Sequence, residues 1–567
     1  MDLRRVLGLV VAGCCLAGLS ACAGGGASVF PPPGSPPPPP PSISSISPSS
    51  ATAGAAGFTL TVNGSGFVTG ATVLWRGPAH SGDSGTVNVV SGTQLTAQIS
   101  AADIAVPGPV QVTVSNPSFT NANSNTVTFT INPGTPGILQ TVSMGANGAT
   151  PNGNSHDPAV SVHGEFIAFA SEATNLTSPN ANFAQGYLRD TCLYTDLCTP
   201  ATQMVSTVSG GASEGNSLGG ASPSLEKDEL GIGAVAGFTS TATNLVTPNT
   251  KFPQAYARNV IAKTTTLVSV TDKGTEPNGP AIDSMIDGTS GCDAVFMANA
   301  TDVVTGVSTA NQIYWVTACA NPAAGFSSPK LVSADSVGNA ANMGAQQPVI
   351  SAQRRFVAFA SISTNLPGAP GGGSQQIFLR DTCNHATSCT PSTTMVSVDN
   401  AGSALPGSSQ VPAVSADGRF VVFTTQAPGT SDVFLRDTCL SSNGAVTGCT
   451  ASTITISVAV NGGAANGPSS SSRNAISGDG RFVAFSSSAT NLITGGNPAA
   501  QVFVRDTCNS SSGSIAGCAP RTLLVSVDHT SAALGGLNAA VSDDGHFVAF
   551  ETTVGGIQQI FLAATGF

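Results

Sequence analysis

The stretch Phe356-Val357-Ala358-Phe359-Ala360-Ser361-Ile362-Ser363-Thr364-Asn365-Leu366, followed after a Gly-rich loop by Gln376-Ile377-Phe378-Leu379-Arg380-Asp381-Thr382-Cys383, decides the fold. Two short runs of β-branched and aromatic residues on either side of turn-formers read as neighbouring strands. The chain writes the passage again at 482–508, ending Val502-Phe503-Val504-Arg505-Asp506-Thr507-Cys508, and more loosely elsewhere. Aligned on the closing Phe of the first run, seven copies are anchored at Phe169, Phe238, Phe296, Phe359, Phe423, Phe485 and Phe550, spaced 58 to 69 residues apart. A strand unit of near-constant period cannot bury its apolar face alone and must stack on its neighbours.

Each full unit reads as four strands. In the fifth copy these are 412–415, a turn at Ala416-Asp417-Gly418, then 419–423, 432–436 and 453–458. Asp-Gly suits the positive dihedrals of a tight hairpin. The fourth strands carry Val205, Val268, Val332, Val396, Ile456 and Val525, each followed by Ser. A seventh member, Thr141-Val142-Ser143, stands before the first unit, while the last unit stops at Ile560-Phe561-Leu562 without one. Letting an N-terminal strand complete the last sheet removes the open edge of a ring. The expectation is therefore an all-β protein ending in a seven-bladed β-propeller, residues 138–567, closed by an N-terminal strand; an open β-solenoid is the competing arrangement.

Ahead of the repeats the chain divides in three. Residues 1–22 have signal-peptide form: Arg4 and Arg5, an apolar run at 6–19, then Leu19-Ser20-Ala21-Cys22. That tetrad resembles the lipobox of bacterial lipoproteins, which implies lipidation of Cys22, anchoring without a span, and, since Ala23 is not Asp, the outer membrane or cell surface. An ordinary secretory signal with a chance Cys is the plainer alternative. Residues 23–42, with Pro31-Pro32-Pro33 and a proline run at 36–41, read as an extended, disordered tether. Residues 43–132 alternate apolar and polar positions in short runs, the pattern of a β-sandwich. Gly57-Phe58-Thr59-Leu60-Thr61-Val62-Asn63-Gly64-Ser65-Gly66-Phe67 in this stretch resembles the IPT/TIG domain, an immunoglobulin-like module, which implies a spacer or interaction role and no chemistry. Trp75 reads as a core residue rather than an exposed contact.

Ser415-Ala416-Asp417-Gly418-Arg419-Phe420 and Ser477-Gly478-Asp479-Gly480-Arg481-Phe482 in turn resemble the TolB-like, WD40-like propeller repeat. TolB pairs its propeller with an N-terminal α/β domain absent from this sequence, so its envelope role does not carry over.

Composition excludes several functions. The net charge of -11 offers no basic footprint for nucleic acid. Outside the leader no apolar run is long enough for a membrane helix. Of thirteen cysteines, eight form local pairs after the third strand: Cys192/Cys198, Cys383/Cys389, Cys439/Cys449 and Cys508/Cys518. With Cys319 aligned to Cys383 and Cys292 ahead of the partner strand, a fifth disulfide, Cys292/Cys319, is expected too. Closing such short loops stabilises by roughly 2 to 3 kcal/mol. No C-x-x-C or clustered His supports a metal at these cysteines, and Asn180-Ala181-Asn182 and Asn249-Thr250-Lys251 are too poor in carboxylates for calcium. No metal or cofactor is expected.

The Arg-Asp pairs Arg189-Asp190, Arg380-Asp381, Arg436-Asp437 and Arg505-Asp506 invite a catalytic reading. Adjacent strand residues point to opposite faces, so they read instead as bonds between blades. None of the six His sits in a hydrolase or metalloprotease motif; His163 and His546 fall in the turn that Asp-Gly occupies elsewhere. The loops after the second strands, several carrying Thr-Asn-Leu, are expected to cluster on one rim as a binding surface. Glycan binding would favour more than two Trp and four Tyr. The expected function is that of a non-catalytic, monomeric envelope or surface lipoprotein whose propeller binds an envelope or extracellular protein; the alternative is a hydrolase or lyase with its site in the central funnel.

Overall fold

The computed structural model describes residues 40–567 except 54, 78–80, 105–107, 118–122, 133, 179, 194–198, 212, 226–234, 288–292, 318–326, 385, 387–388, 499 and 529. The leader with Cys22, most of the tether, and Cys198, Cys292 and Cys319 lie outside the described residues.

Alternating side chains build a two-sheet sandwich. One sheet orders Ser42–Ser47, Phe58–Ser65, Gln94–Ile99 and Val87–Ser91; the other orders Ser50–Thr52, Val127–Asn132, Gly108–Ser115, Thr72–Arg76 and Ser81–Asp83. Leu60, Val62, Val73, Leu95, Val110, Val112 and Phe129 fill the space between them with no exposed surface. Trp75 is a core residue: its ring lies 5.0 Å from Phe129 and its Nε1 donates to the Asp103 carbonyl at 3.3 Å. The first strand starts at Ser42 and Pro41 is already buried, so the expected tether ends before those residues.

Among the described residues, seven four-stranded antiparallel sheets follow. The fifth is typical: Ser408–Val414, Phe420–Ala427, Thr430–Asp437 and Ser452–Thr455. Its innermost strand begins earlier than the sequence pattern predicts. A bulge between Gln410 and Ala413 interrupts the alternation that would have revealed it. Each sheet stacks on the next, and the seventh also packs on the first. Aromatic pairs such as Phe359/Phe378 and Phe423/Phe434, with ring centroids 5.8 and 6.0 Å apart, sit at the middle strands.

The seventh sheet takes its outer strand from far upstream. Gly137–Thr141 pairs antiparallel with Ile557–Ala564, Gly137 opposite Ala564 and Thr141 opposite Phe561. Val142 then donates its N–H to the Ile560 carbonyl at 2.8 Å, and the Ile560 N–H donates to Ser143 Oγ at 2.9 Å. The fourth sheet does the same locally, with Val396 to Ile377 at 2.8 Å and Ile377 to Ser397 Oγ at 2.9 Å. The Val-Ser that follows each outer strand is therefore a buried lock on the third strand.

The turn between the first two strands explains its own residues. Ser415 Oγ accepts the Phe420 N–H and donates to Asp417 Oδ1, which also accepts the Arg419 N–H. Gly418 has φ +83°, and a Cβ there would lie 2.1 Å from the Phe356 ring of the preceding sheet. Arg419 grips Asp437 through Nε and Nη2 at 2.9 and 2.8 Å, while Nη1 reaches the Ser510 carbonyl of the next sheet at 3.3 Å. Arg355 with Asp381 and Arg481 with Asp506 repeat the bidentate pair. While Asp190 of the first sheet accepts the Cys192 N–H, in the fourth, fifth and sixth sheets the Asp of the Arg-Asp pair thus binds an Arg of its own sheet, not one of another blade as the sequence reading supposed. Its Arg neighbour faces the other way: Arg380 donates to the Asp335 carbonyl of the preceding sheet and to Thr393 Oγ1, both at 3.0 Å.

Cys383–Cys389, Cys439–Cys449 and Cys508–Cys518 are disulfide-bonded, with Cα separations of 5.5, 5.6 and 5.6 Å. Cys192 is disulfide-bonded as well. In the fifth and sixth sheets the bond closes a small hairpin, Leu440–Ser441 against Gly444–Ala445 and Asn509–Ser510 against Gly513–Ser514.

Candidate functional site in the central cavity

The Thr-Asn of the expected rim motif is structural. Asn342 accepts the Thr364 N–H at its side-chain oxygen and donates Nδ2 to Thr364 Oγ1, while Asn365 Oδ1 accepts the Asn342 N–H. Asn152, Asn216 and Asn466 clasp Thr174, Thr243 and Thr490 in the same way. The Asn that recurs ahead of the first strand in the first, second, third, fourth and sixth sheets was the signal for this clasp. The loops of the fifth and seventh sheets are tight turns, so the rim is not a uniform crown of long loops.

Groups of one Asp and two Cys, such as Asp381, Cys383 and Cys389, lie within metal-binding distance of one another. Their sulfurs are joined as disulfides, which removes the thiolates a metal would need.

The residues that depart from the repeat meet at the axis. A cavity of about 410 Å³ is lined by the innermost strand of every sheet, including Asp157, Pro223, Asp283, Gln347, Val411, Arg473 and Asn538. The bulges deliver these side chains. Asp157, Asp283, Gln347, Val411 and Asn538 all have φ between 50° and 56°, the left-handed region, at the register shifts of their strands. Side chains at the bulges then bond the next sheet: Asp283 Oδ2 accepts the Gln347 N–H at 2.8 Å, and Gln347 Oε1 accepts the Val411 N–H at 2.9 Å.

In the sixth sheet the innermost strand shortens to Ser469–Ser470, and the freed chain carries Arg473 inward. Its guanidinium crosses to the third and fourth sheets, with Nη1 on Asp283 Oδ1 at 2.7 Å and Nη2 on the Pro348 carbonyl at 2.6 Å. In the seventh sheet Glu551 stands where the others carry Ala, Thr, Ser or Met. It has no exposed surface. Its carboxylate accepts the Asp157 N–H at 2.7 Å and Asn538 Nδ2 at 2.9 Å, and it bonds Gln558. Burial pushes the Glu551 carboxyl above its ordinary range, against the hydrogen bonds from Asn538 and Asp157.

His163 and His546 lie at the junction of the first and seventh sheets. His163 Nδ1 is 2.9 Å from Asp544 Oδ2, and that hydrogen bond raises its pKa against the opposing effect of burial. His546, in the slot of Arg419, is held below its ordinary value by burial, with Nδ1 3.1 Å from the Phe567 carbonyl oxygen. His80, His385 and His529 lie outside the described residues. Sequence reasoning missed the axial set because the repeat position that carries Asp157, Asp283, Gln347, Val411, Arg473 and Asn538 changes residue type from sheet to sheet and so shows no motif.

Residues 41–131 match the IPT/TIG domain family. No curated protein matches the chain. Among solved structures it is similar to TolB from Acinetobacter baumannii, at 15% identity over 59% of this chain and 58% of that one, with a TM-score of 0.29. It is similar to the tricorn protease at 10% identity over 89% and 48%, with a TM-score of 0.36. An oligogalacturonate lyase from Vibrio parahaemolyticus matches at 8% identity over 76% and 98%, with a TM-score of 0.38. The match thus spans little more than half of TolB and less than half of the tricorn protease.

Proposed function

We propose that this protein is a non-catalytic lipoprotein of the outer membrane or cell surface, anchored through Cys22, whose propeller binds an envelope or extracellular protein. The observation that supports a binding role is the state of the axial charges. Arg473 is held by Asp283 and backbone carbonyls, and Glu551 by an amide, a backbone N–H and Gln558. Groups fixed in this way give the cavity a set shape and charge, which suits the recognition of a partner group. A tagged form lacking the leader and tether should recover one defined partner from envelope extracts; turnover of a broad glycan and peptide panel by the same protein would sink the reading. Fatty-acid labelling that survives Cys22→Ala would remove the anchor.

The second reading, a funnel hydrolase or lyase, draws its support from Glu551, a buried carboxyl with a raised pKa beside Asp157. Under that reading Glu551→Gln abolishes turnover while the fold persists.

A further inference from the structure

We infer that the axial cavity receives a primary alkylammonium group, the side chain of a lysine presented by the partner. This rests on the binding role proposed above and names the chemistry of its ligand.

Charge around the cavity is lopsided. Arg473 is the cation of the lining, and it is joined to Asp283. On the other side Asp157 lines the cavity and is exposed; its carboxylate makes no hydrogen bond among the described residues, although its N–H is held by Glu551. Glu551 accepts the Asp157 N–H, and the Asp157 charge acts unfavourably on the Glu551 carboxylate. A cation entering here gains a carboxylate partner and relieves the repulsion between Asp157 and Glu551.

The other free groups suit an ammonium. Asn538 turns Nδ2 to Glu551, which leaves its Oδ1 as an acceptor, and the Asn474 side chain and Ser470 hydroxyl line the same space unbonded among the described residues. Pro158, Pro223, Met285 and Val411 give apolar wall for a methylene stem. The volume of about 410 Å³ exceeds what a bare ion fills and falls in the range of small-ligand sites. One free carboxylate with neutral acceptors is too few charged oxygens for calcium.

The test is calorimetric titration of the full chain with Nα-acetyl-lysine-methylamide, its ε-acetylated form and the norleucine analogue. The lysine compound should bind, Asp157→Asn should weaken it at least tenfold, and both neutral analogues should lose most affinity. Asp157 is exposed, so the variant should keep the wild-type melting temperature; if it does not, competition by butylammonium chloride on the wild type gives the same answer. Equal binding of norleucine and lysine compounds, no binding of any, or displacement by calcium instead would overturn the inference. A partner captured equally well by Asp157→Asn overturns it while the scaffold reading stands. Lysine-compound binding with no partner captured leaves the site and removes the scaffold reading.

Discussion

The arc of the fourth to sixth sheets and the seam between the seventh and first use the same slots with different side chains. In the arc every turn Arg grips the Asp that ends the third strand, lies over the following Phe ring at 4.6 to 5.2 Å, and sits beside a disulfide. At the seam the turn Arg is replaced by Glu165 and His546, and the Arg-Asp of the seventh sheet by Ala563 and Ala564. Across the seam run His163 on Asp544, the Asp157 N–H on Glu551 and the Gln558 N–H on Asn154, beside a strand borrowed from the N-terminal side. The turns of the arc are braced within each sheet by permanent charges and a disulfide, whereas the seam carries a titratable pair.

Four comparisons, made with six substitutions, probe that contrast, in descending order of the largest effect in each. Val142→Asp places an unpaired charge where the closing strand has no exposed surface. It should cost about 4 kcal/mol or prevent folding, and it should expose 137–143 to protease, whereas Val396→Asp should leave the seam protected. Protection of 137–143 in both variants would mean that the borrowed strand does not hold the ring.

Gly418→Ala combines a left-handed φ with a Cβ 2.1 Å from the Phe356 ring, and chemical denaturation should show a loss of about 3 kcal/mol. At the seam the Cβ of Gly164→Ala meets Phe547 at 3.0 Å, and the loss should be about 1 kcal/mol. Equal losses would erase the difference in packing.

Arg419→Met removes one partner of a largely buried bidentate pair and should cost about 2 kcal/mol at any pH between 5 and 9. The seam should respond to pH instead. Because His163 has a raised pKa, its contribution is full below about pH 6.5 and is lost as pH rises through the folded value. His546 works in the opposite sense, since burial disfavours its charged form. Asp543, Asp544 and Glu165 face His163 as well. The difference in stability between wild type and His163→Gln isolates one group from the others. It should be on the order of 1 kcal/mol at pH 5.5 and shrink toward zero by pH 8.5. A difference that does not change with pH would assign His163 a packing role.

Much of this was legible because equivalent residues recur. Phe420, Asp417 and Gly418 do the same local work in several sheets, so their period shows through a chain whose loops vary. The displaced Thr141-Val142-Ser143 was legible for the same reason. Partner choice was not: Arg380 and Asp381 are adjacent, yet one bonds the preceding sheet and the other Arg355 of its own. A two-residue alternation tells which faces they take, not what waits there. The axial set was hidden more deeply. Arg473 and Asp283 are 190 residues apart and meet because a bulge in one strand and a shortening of another aim them across the axis. Neither event leaves a motif.

The position of Gly137–Thr141 also sets how the molecule carries force. Tension applied to the chain ahead of residue 137 enters the ring through the hydrogen bonds to Ile557–Ala564 before it reaches Ser155–Val160. None of the disulfides at Cys383, Cys439 and Cys508 spans that route. Pulling from the N-terminal side therefore loads the borrowed strand first, which makes the seam the element through which force enters the ring.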